Sequence, residues 1–220
     1  MHLSLAPDAA ADLIVREATR LAPAAFSRVA VGIAGGPGVG KSTISAEVVA
    51  RLNAESDGAA ALVPMDGFHM RQEKLERLGT AFEKGAPHTF EGAAFAAFLA
   101  QLKGATAPMN GPGYSRKIED VVEDAFVVPA EARILIVEGN YLLLPDPPWN
   151  AVKPLLDLSV FLAIPRGTAF ARLLARHNAE GLFDPDYSRR HVEDVDMVNF
   201  DIVSGSRERA DVVIELAVER

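Results

Sequence analysis

The sequence predicts an α/β protein built on a five-stranded parallel sheet with helices on both faces. Two observations predict it. Short apolar, β-branched runs of strand length recur along the chain with helical patterns between them, and a glycine-rich turn joins the first such run directly to a helix. The 220 residues, 49% hydrophobic and 24% charged, suit a single domain over 1–220 around one sizeable core.

Taken in order, residues 9–21 predict a leading amphipathic helix, since Leu13, Ile14, Ala18 and Leu21 fall at helical spacing after Pro7-Asp8. Residues 29–34 are the first strand, and 43–52 have the apolar spacing of a helix. The second strand, 60–65, runs into Asp66-Gly67, and the third, 134–137, ends at Glu138-Gly139. Residues 158–164 and 212–216 supply the fourth and fifth. Three stretches interrupt the alternation. Residues 71–90, polar and containing Gly79, Gly85 and Pro87, and residues 109–114, dense in turn formers, predict loops and short elements over one side of a cleft. Residues 178–190, with Gly181, Pro185 and several charges, suit a small mobile lid.

Between the first strand and its helix stands Gly35-Gly36-Pro37-Gly38-Val39-Gly40-Lys41-Ser42, a complete match to the phosphate-binding pattern G-x-x-x-x-G-K-[ST], with Thr43 continuing into the helix. Glycines let backbone N–H groups turn toward phosphate oxygens, the lysine reaches the β- and γ-phosphates, and the serine hydroxyl takes a Mg²⁺ position. A helix N-terminus behind the loop adds a dipole that favours an anion. The fold class is therefore that of the P-loop NTPases, with a nucleotide and Mg²⁺ as the expected ligands.

In parallel sheets ligands bind beyond the carboxyl ends of the strands, a rule that gathers the P-loop, Asp66 and Glu138. Asp66 follows a strand directly and is a candidate general base for an acceptor hydroxyl; an Asp-Gly turn without chemistry explains its position equally well. Glu138 ends a strand that resembles a Walker B strand with one acid, suited to positioning Mg²⁺. Gly139 stands where motor ATPases often carry a second acid, which speaks against water activation. Arg172 and Arg176 share one helix face just before the proposed lid and can close on phosphates through their planar forks. His69, His88 and His177 fit no zinc spacing and read as structural, His69 being the exception most open to a substrate contact.

A formal net charge of −8 argues against a sequence-independent nucleic-acid binder and for a small-molecule partner. The chain has no cysteine, no secretory signal pattern and no apolar run of membrane-spanning length, so a cytoplasmic enzyme is the expectation, with a homodimer left open. None of the six lysines lies in an Asn/Thr-Lys-x-Asp guanine-reading pattern, which disfavours a regulatory GTPase.

The order of Gly35 to Ser42, Met65-Asp66-Gly67-Phe68-His69, Pro112-Gly113-Tyr114-Ser115-Arg116, Val137-Glu138-Gly139-Asn140-Tyr141, Arg172-Leu173 and Arg176-His177 resembles the uridine kinase, phosphoribulokinase and pantothenate kinase group of P-loop kinases. Within that group the chain is most similar to bacterial proteins described as fructose transport system kinases, or fructokinase-like. The resemblance implies an ATP-dependent kinase acting on an alcohol of a small molecule, a sugar before pantothenate or a nucleoside. It implies that Asp66 is the base, that Lys41 and Ser42 hold phosphate and Mg²⁺, and that Glu138 lies near the metal. His69, Tyr114, Arg116, Glu138 and Tyr141 then fall in the substrate-contacting segments, with Arg172 and Arg176 as lid arginines. Gly67-Phe68-His69 replaces the Ser-Phe-Tyr run usual in uridine kinases, which turns the expectation away from a nucleoside.

Overall fold

The computed structural model describes residues 1–22, 27–180 and 184–217. Its centre is a parallel sheet of six strands: β1 (His2–Leu5), β2 (Val29–Ala34), β3 (Ala60–Pro64), β6 (Ile134–Gly139), β7 (Leu158–Ala163) and β8 (Val212–Leu216), in the spatial order β1-β8-β7-β2-β6-β3. The expected five strands are all present, and the sixth corrects their number. β1 is only four residues long, lies at the sheet edge, and alternates exposed with half-buried positions, so it lacks the continuous apolar signature of a covered strand.

The central strand β2 and its neighbour β6 are buried at every position. Alternate residues of β2 serve two cores. Val31 and Ile33 join the helices α1 (Pro7–Leu21), α2 (Lys41–Glu55), α5 (Arg166–Glu180) and α7 (Met197–Ser204), while Ala30 and Ala34 face the opposite layer. That second layer contains α4 (Gly92–Gly104), through Phe95, Leu99 and Leu102, and the segment from Tyr141 to Trp149. Period-two strands thus place helices on both sheet faces. Arg28, 5% exposed, locks the layers at the start of β2: it donates to the carbonyls of Leu102 (2.9 Å), Ala132 (3.0 Å) and Pro129 (2.7 Å).

The stretch 109–114, expected as loops and short elements, is the first strand of a two-stranded antiparallel hairpin, β4 (Met109–Ser115) with β5 (Asp120–Val128), separate from the main sheet. Its register shifts between Gly111 and Gly113, and Asp124 on β5 takes a φ of 50°. The bulge lets a glycine- and proline-rich strand pair at all, which local propensity alone does not anticipate. The stretch 71–90 holds a short helix, α3 (Gln72–Leu78), and 3₁₀ turns. Within 178–190, α5 runs on to Glu180 and a further helix, α6 (Pro185–His191), begins behind an Asp184 cap that accepts from the N–H groups of Asp186 and Tyr187. Residues 181–183 of the expected lid lie outside the described residues. A π-helical turn, Val192–Asp196, joins α6 to α7.

Candidate active site

The carboxyl ends of β2, β3 and β6 open into a cavity of about 730 Å³. The loop from β2 into α2 forms its floor. Gly40 caps α2 with φ 98°, a left-handed conformation that a side chain would strain, and so aims the first turn of the helix at the cavity. Lys41 is nearly enclosed; its Nζ donates to the Gly36 carbonyl at 3.1 Å and lies 3.9 Å from Glu138 Oε1. Ser42 Oγ donates to Glu138 Oε2 at 3.4 Å. Burial lowers the Lys41 pKa, against the pull of Glu138 and Asp66 and with the push of Arg176 and Arg116. Burial likewise raises Glu138, to about 7, with Lys41 opposing. The two shifts share one cause: neither charge is solvated, and each is the other's main compensation.

Asp66 sits on a 3₁₀ turn, Met65–Phe68, immediately after β3. The turn is fixed from two sides. The Asp66 carbonyl accepts from the His69 backbone N–H at 3.2 Å and lies 2.7 Å from His69 Nδ1. Gly67 meets the hairpin so closely that a Cβ there would stand 1.8 Å from the Pro112 carbonyl oxygen. The hairpin therefore docks directly on the turn that carries Asp66. Tyr114 of the hairpin completes a wall there: His69 is sandwiched between Phe90 (ring centroids 3.9 Å apart) and Tyr114 (4.5 Å). Tyr114 Oη donates to Glu119 Oε2 at 2.9 Å, and its pKa is raised mainly by burial. Lys84 lies over the Tyr114 ring and donates to Gln72 Oε1 (3.0 Å) and to the Glu119 carbonyl. Arg116, at the end of β4, borders the same space.

The third side comes from α5 to α7. Arg172 reaches the P-loop, its guanidinium donating to the Val39 carbonyl at 3.4 Å, and Arg176 follows one turn later on the same cavity-facing side. His177 Nε2 pairs with Asp196 Oδ2 at 3.0 Å.

Of the residues singled out from sequence, Pro37, Gly38, Gly40, Lys41, Ser42, Thr43, Asp66, His69, Tyr114, Arg116, Glu138, Arg172 and Arg176 border this one cavity. Gly35, Gly36 and Val39 belong to the loop beneath them and are buried. Tyr141 departs from the expectation of a substrate contact. It is fully buried, its hydroxyl donates to the Gly85 carbonyl, and its ring packs against Phe90 and Trp149. The residue is a strut behind the cavity wall, since an aromatic that long, rooted at the end of a central strand, fills the core. His88 pairs with Glu83 on the surface, away from the cavity. Sequence reasoning missed Lys84, Glu119, His191 and Asp196, all of which line it. Only His191 left a signal, because Tyr187 and His191 are four apart on a helix and share a face.

A P-loop under a parallel sheet, with a carboxylate at the next strand end and an enclosed second half to the cavity, defines a P-loop phosphotransferase. The chain belongs to the Phosphoribulokinase / Uridine kinase family, whose family model matches residues 30–218. It is an ATP-dependent kinase that phosphorylates an alcohol group. A protein of Schizosaccharomyces pombe, provisionally named a uridine kinase, is 35% identical over 196 residues, covering 86% of this chain and 83% of that one. The pantothenate kinase of Latilactobacillus sakei is 34% identical over 134 residues, covering 60% of this chain but only 43% of that enzyme. A crystal structure from Silicibacter sp. TM1040, provisionally described as a fructose transport system kinase, superposes with a TM-score of 0.83 at 34% identity, covering 92% of this chain and 97% of that one.

Proposed function

We propose that the chain transfers the γ-phosphoryl group of ATP to a hydroxyl of a small metabolite, with a sugar as the acceptor and Asp66 as the general base. The observation that carries the reading is that Asp66 borders the same cavity as Lys41 and Ser42, on the turn that follows the strand beside the one bearing Glu138. On this reading Lys41 holds the β- and γ-phosphates while Arg172 and Arg176 close over them, giving positive charge where the transition state spreads its negative charge. Asp66 accepts the acceptor's hydroxyl proton as the oxygen attacks phosphorus, and ADP leaves. Ser42 and Glu138 offer adjacent hard oxygens, a donor set that fits Mg²⁺, and would hold it directly or through water; the ion supplies neutralisation of phosphate charge. The segment 178–190 acts as the lid, and the enzyme works in the cytoplasm, where ATP is supplied.

A sugar is favoured because the half of the cavity around Asp66 combines an aromatic surface, His69, Phe90 and Tyr114, with the polar groups of Lys84, Arg116 and Glu119. Such a surface suits a compact molecule with apolar ring faces and several hydroxyls. The name of the Silicibacter neighbour points the same way. The relatives named for uridine and pantothenate make those compounds the other acceptors to try. A coupled ADP-release assay with ATP and Mg²⁺ over fructose, other sugars, pantothenate, uridine and cytidine decides among them. ADP release accelerated by a sugar is the expected result; release that only pantothenate or a nucleoside accelerates, or that nothing accelerates, overturns the sugar assignment.

A further inference from the structure

The far wall of the cavity contains a histidine that the phosphoryl-transfer scheme leaves unused. His191, the last residue of α6, lines the cavity. Its ring is held on several sides: Tyr187 lies nearly parallel at 12° with centroids 6.2 Å apart, and Phe82 stands edge-on at 83° and 5.8 Å. His177 packs at 5.6 Å, but that imidazole is already engaged by Asp196. The orientation of His191 is thus set by rings, before any ligand arrives.

Its nitrogens are not equivalent. Nδ1 is enclosed by protein and has no hydrogen-bond partner among the described residues. An orphaned N–H costs more than an orphaned lone pair, because an acceptor tolerates under-satisfaction better. That cost favours the neutral tautomer with its proton on Nε2. Burial favours this neutral form by lowering the pKa, Asp196 and Glu119 opposing and His177 and Arg176 reinforcing. Its ring contacts point to the acceptor half: Phe82, edge-on to His191, lies two residues before Lys84, which covers the Tyr114 ring and donates to the Glu119 carbonyl.

We propose that His191 is a specificity-determining residue: its Nε2–H donates a hydrogen bond to an oxygen of the bound acceptor other than the one that attacks phosphorus. The inference rests on the reading that this half of the cavity takes the acceptor. It narrows the acceptor class to molecules with a second oxygen, a further hydroxyl, carbonyl or carboxylate, set away from the reacting hydroxyl. A site built around a buried, pre-oriented donor discriminates strongly against an analogue that lacks the matching oxygen, because the donor is then left unpaired.

Two measurements test it. In the wild-type protein, ¹⁵N spectra of the imidazoles at pH 7 are expected to place the His191 proton on Nε2; a proton on Nδ1 overturns the inference whatever the substrate. In steady-state kinetics, the acceptor is the one among fructose, pantothenate and uridine that the wild type phosphorylates best. His191→Phe keeps the ring packing and removes the donor. It should raise the acceptor KM about tenfold or more while leaving the ATP KM within about twofold, since a lost hydrogen bond of about 1.4 kcal/mol is tenfold. His191→Gln, which retains an N–H donor, should recover much of that loss, and His191→Leu replaces the phenylalanine variant if the latter does not fold. An unchanged acceptor KM in the donor-free variant overturns the proposal. If the wild type phosphorylates none of the three, the acceptor reading fails, and the ¹⁵N measurement alone then decides against His191 or for its tautomer.

Discussion

Lys41 Nζ and Glu138 Oε1 lie 3.9 Å apart, with both side chains 8% exposed. An ion pair so little hydrated depends on each partner for the ionisation of the other. Each charge would pay several kcal/mol for desolvation alone, so removing one partner strands the other.

That dependence gives a pH signature in metal-free, nucleotide-free protein. The Glu138 pKa is about 7 in the fold against 4.5 for the ordinary carboxyl. Glu138 therefore binds its proton more tightly in the folded state between those values, and its contribution to stability is full below the lower one and lost as pH rises through the upper. The loss assignable to Glu138 is about 3 kcal/mol, and Glu138→Gln should remove that fall between pH 4.5 and 7 while lowering stability overall, because Lys41 is left without its partner. Urea denaturation of both proteins across that range, with chelator present, checks it; parallel curves count against a perturbed Glu138.

Asp66→Asn keeps the shape of the 3₁₀ turn and removes the base. Transfer to the acceptor should fall about 10²- to 10⁴-fold, the usual worth of general-base catalysis. ATP affinity by calorimetry should stay within about twofold, because the P-loop is untouched. Retained transfer removes Asp66 from the mechanism.

Gly67→Ala tests the docking of the hairpin on that turn. With 1.8 Å between the added carbon and the Pro112 oxygen, the backbones must separate. A displacement near 1 Å at a reacting group costs about 10²-fold in rate. The variant should lose kcat by about that factor while binding ATP normally, as read by coupled assay and calorimetry.

Arg28 lies far from the cavity and should act on stability alone. Arg28→Met removes its N–H groups from three carbonyls; Leu102 and Pro129 still receive the N–H groups of Ala105 and Ala132, so the Ala132 carbonyl is the one left unsatisfied, at about 1–3 kcal/mol. A loss of about 1–3 kcal/mol in urea midpoint analysis is expected, with KM values unchanged at low temperature.

Much of this architecture is legible in the chain because parallel strands buried on both faces advertise themselves as apolar runs. The residues at their carboxyl ends, Asp66 and Glu138, could be gathered with the P-loop by topology alone. β1 was not legible, since four half-exposed edge residues lack that signature. Nor was the hairpin, where cross-strand pairing overrides the turn preference of Gly111, Pro112 and Gly113. Lys84, Glu119 and His191 come together only through the folded loops, so their pattern is spread over more than a hundred residues of sequence. Tyr141 shows the converse: it follows Glu138 by three positions, yet the chain turns its ring into the core.

The β4–β5 hairpin shares no strand pairing with the central sheet and meets the Asp66 turn through a main-chain oxygen. The contact at Gly67 is backbone against backbone, while Tyr114 packs on His69 and Val128 is buried in the core beneath the hairpin. The hairpin thus couples the two halves: a change in how it seats on Gly67 moves the turn that carries Asp66, and Arg116 at its tip carries charge that Lys41 and Glu138 both feel.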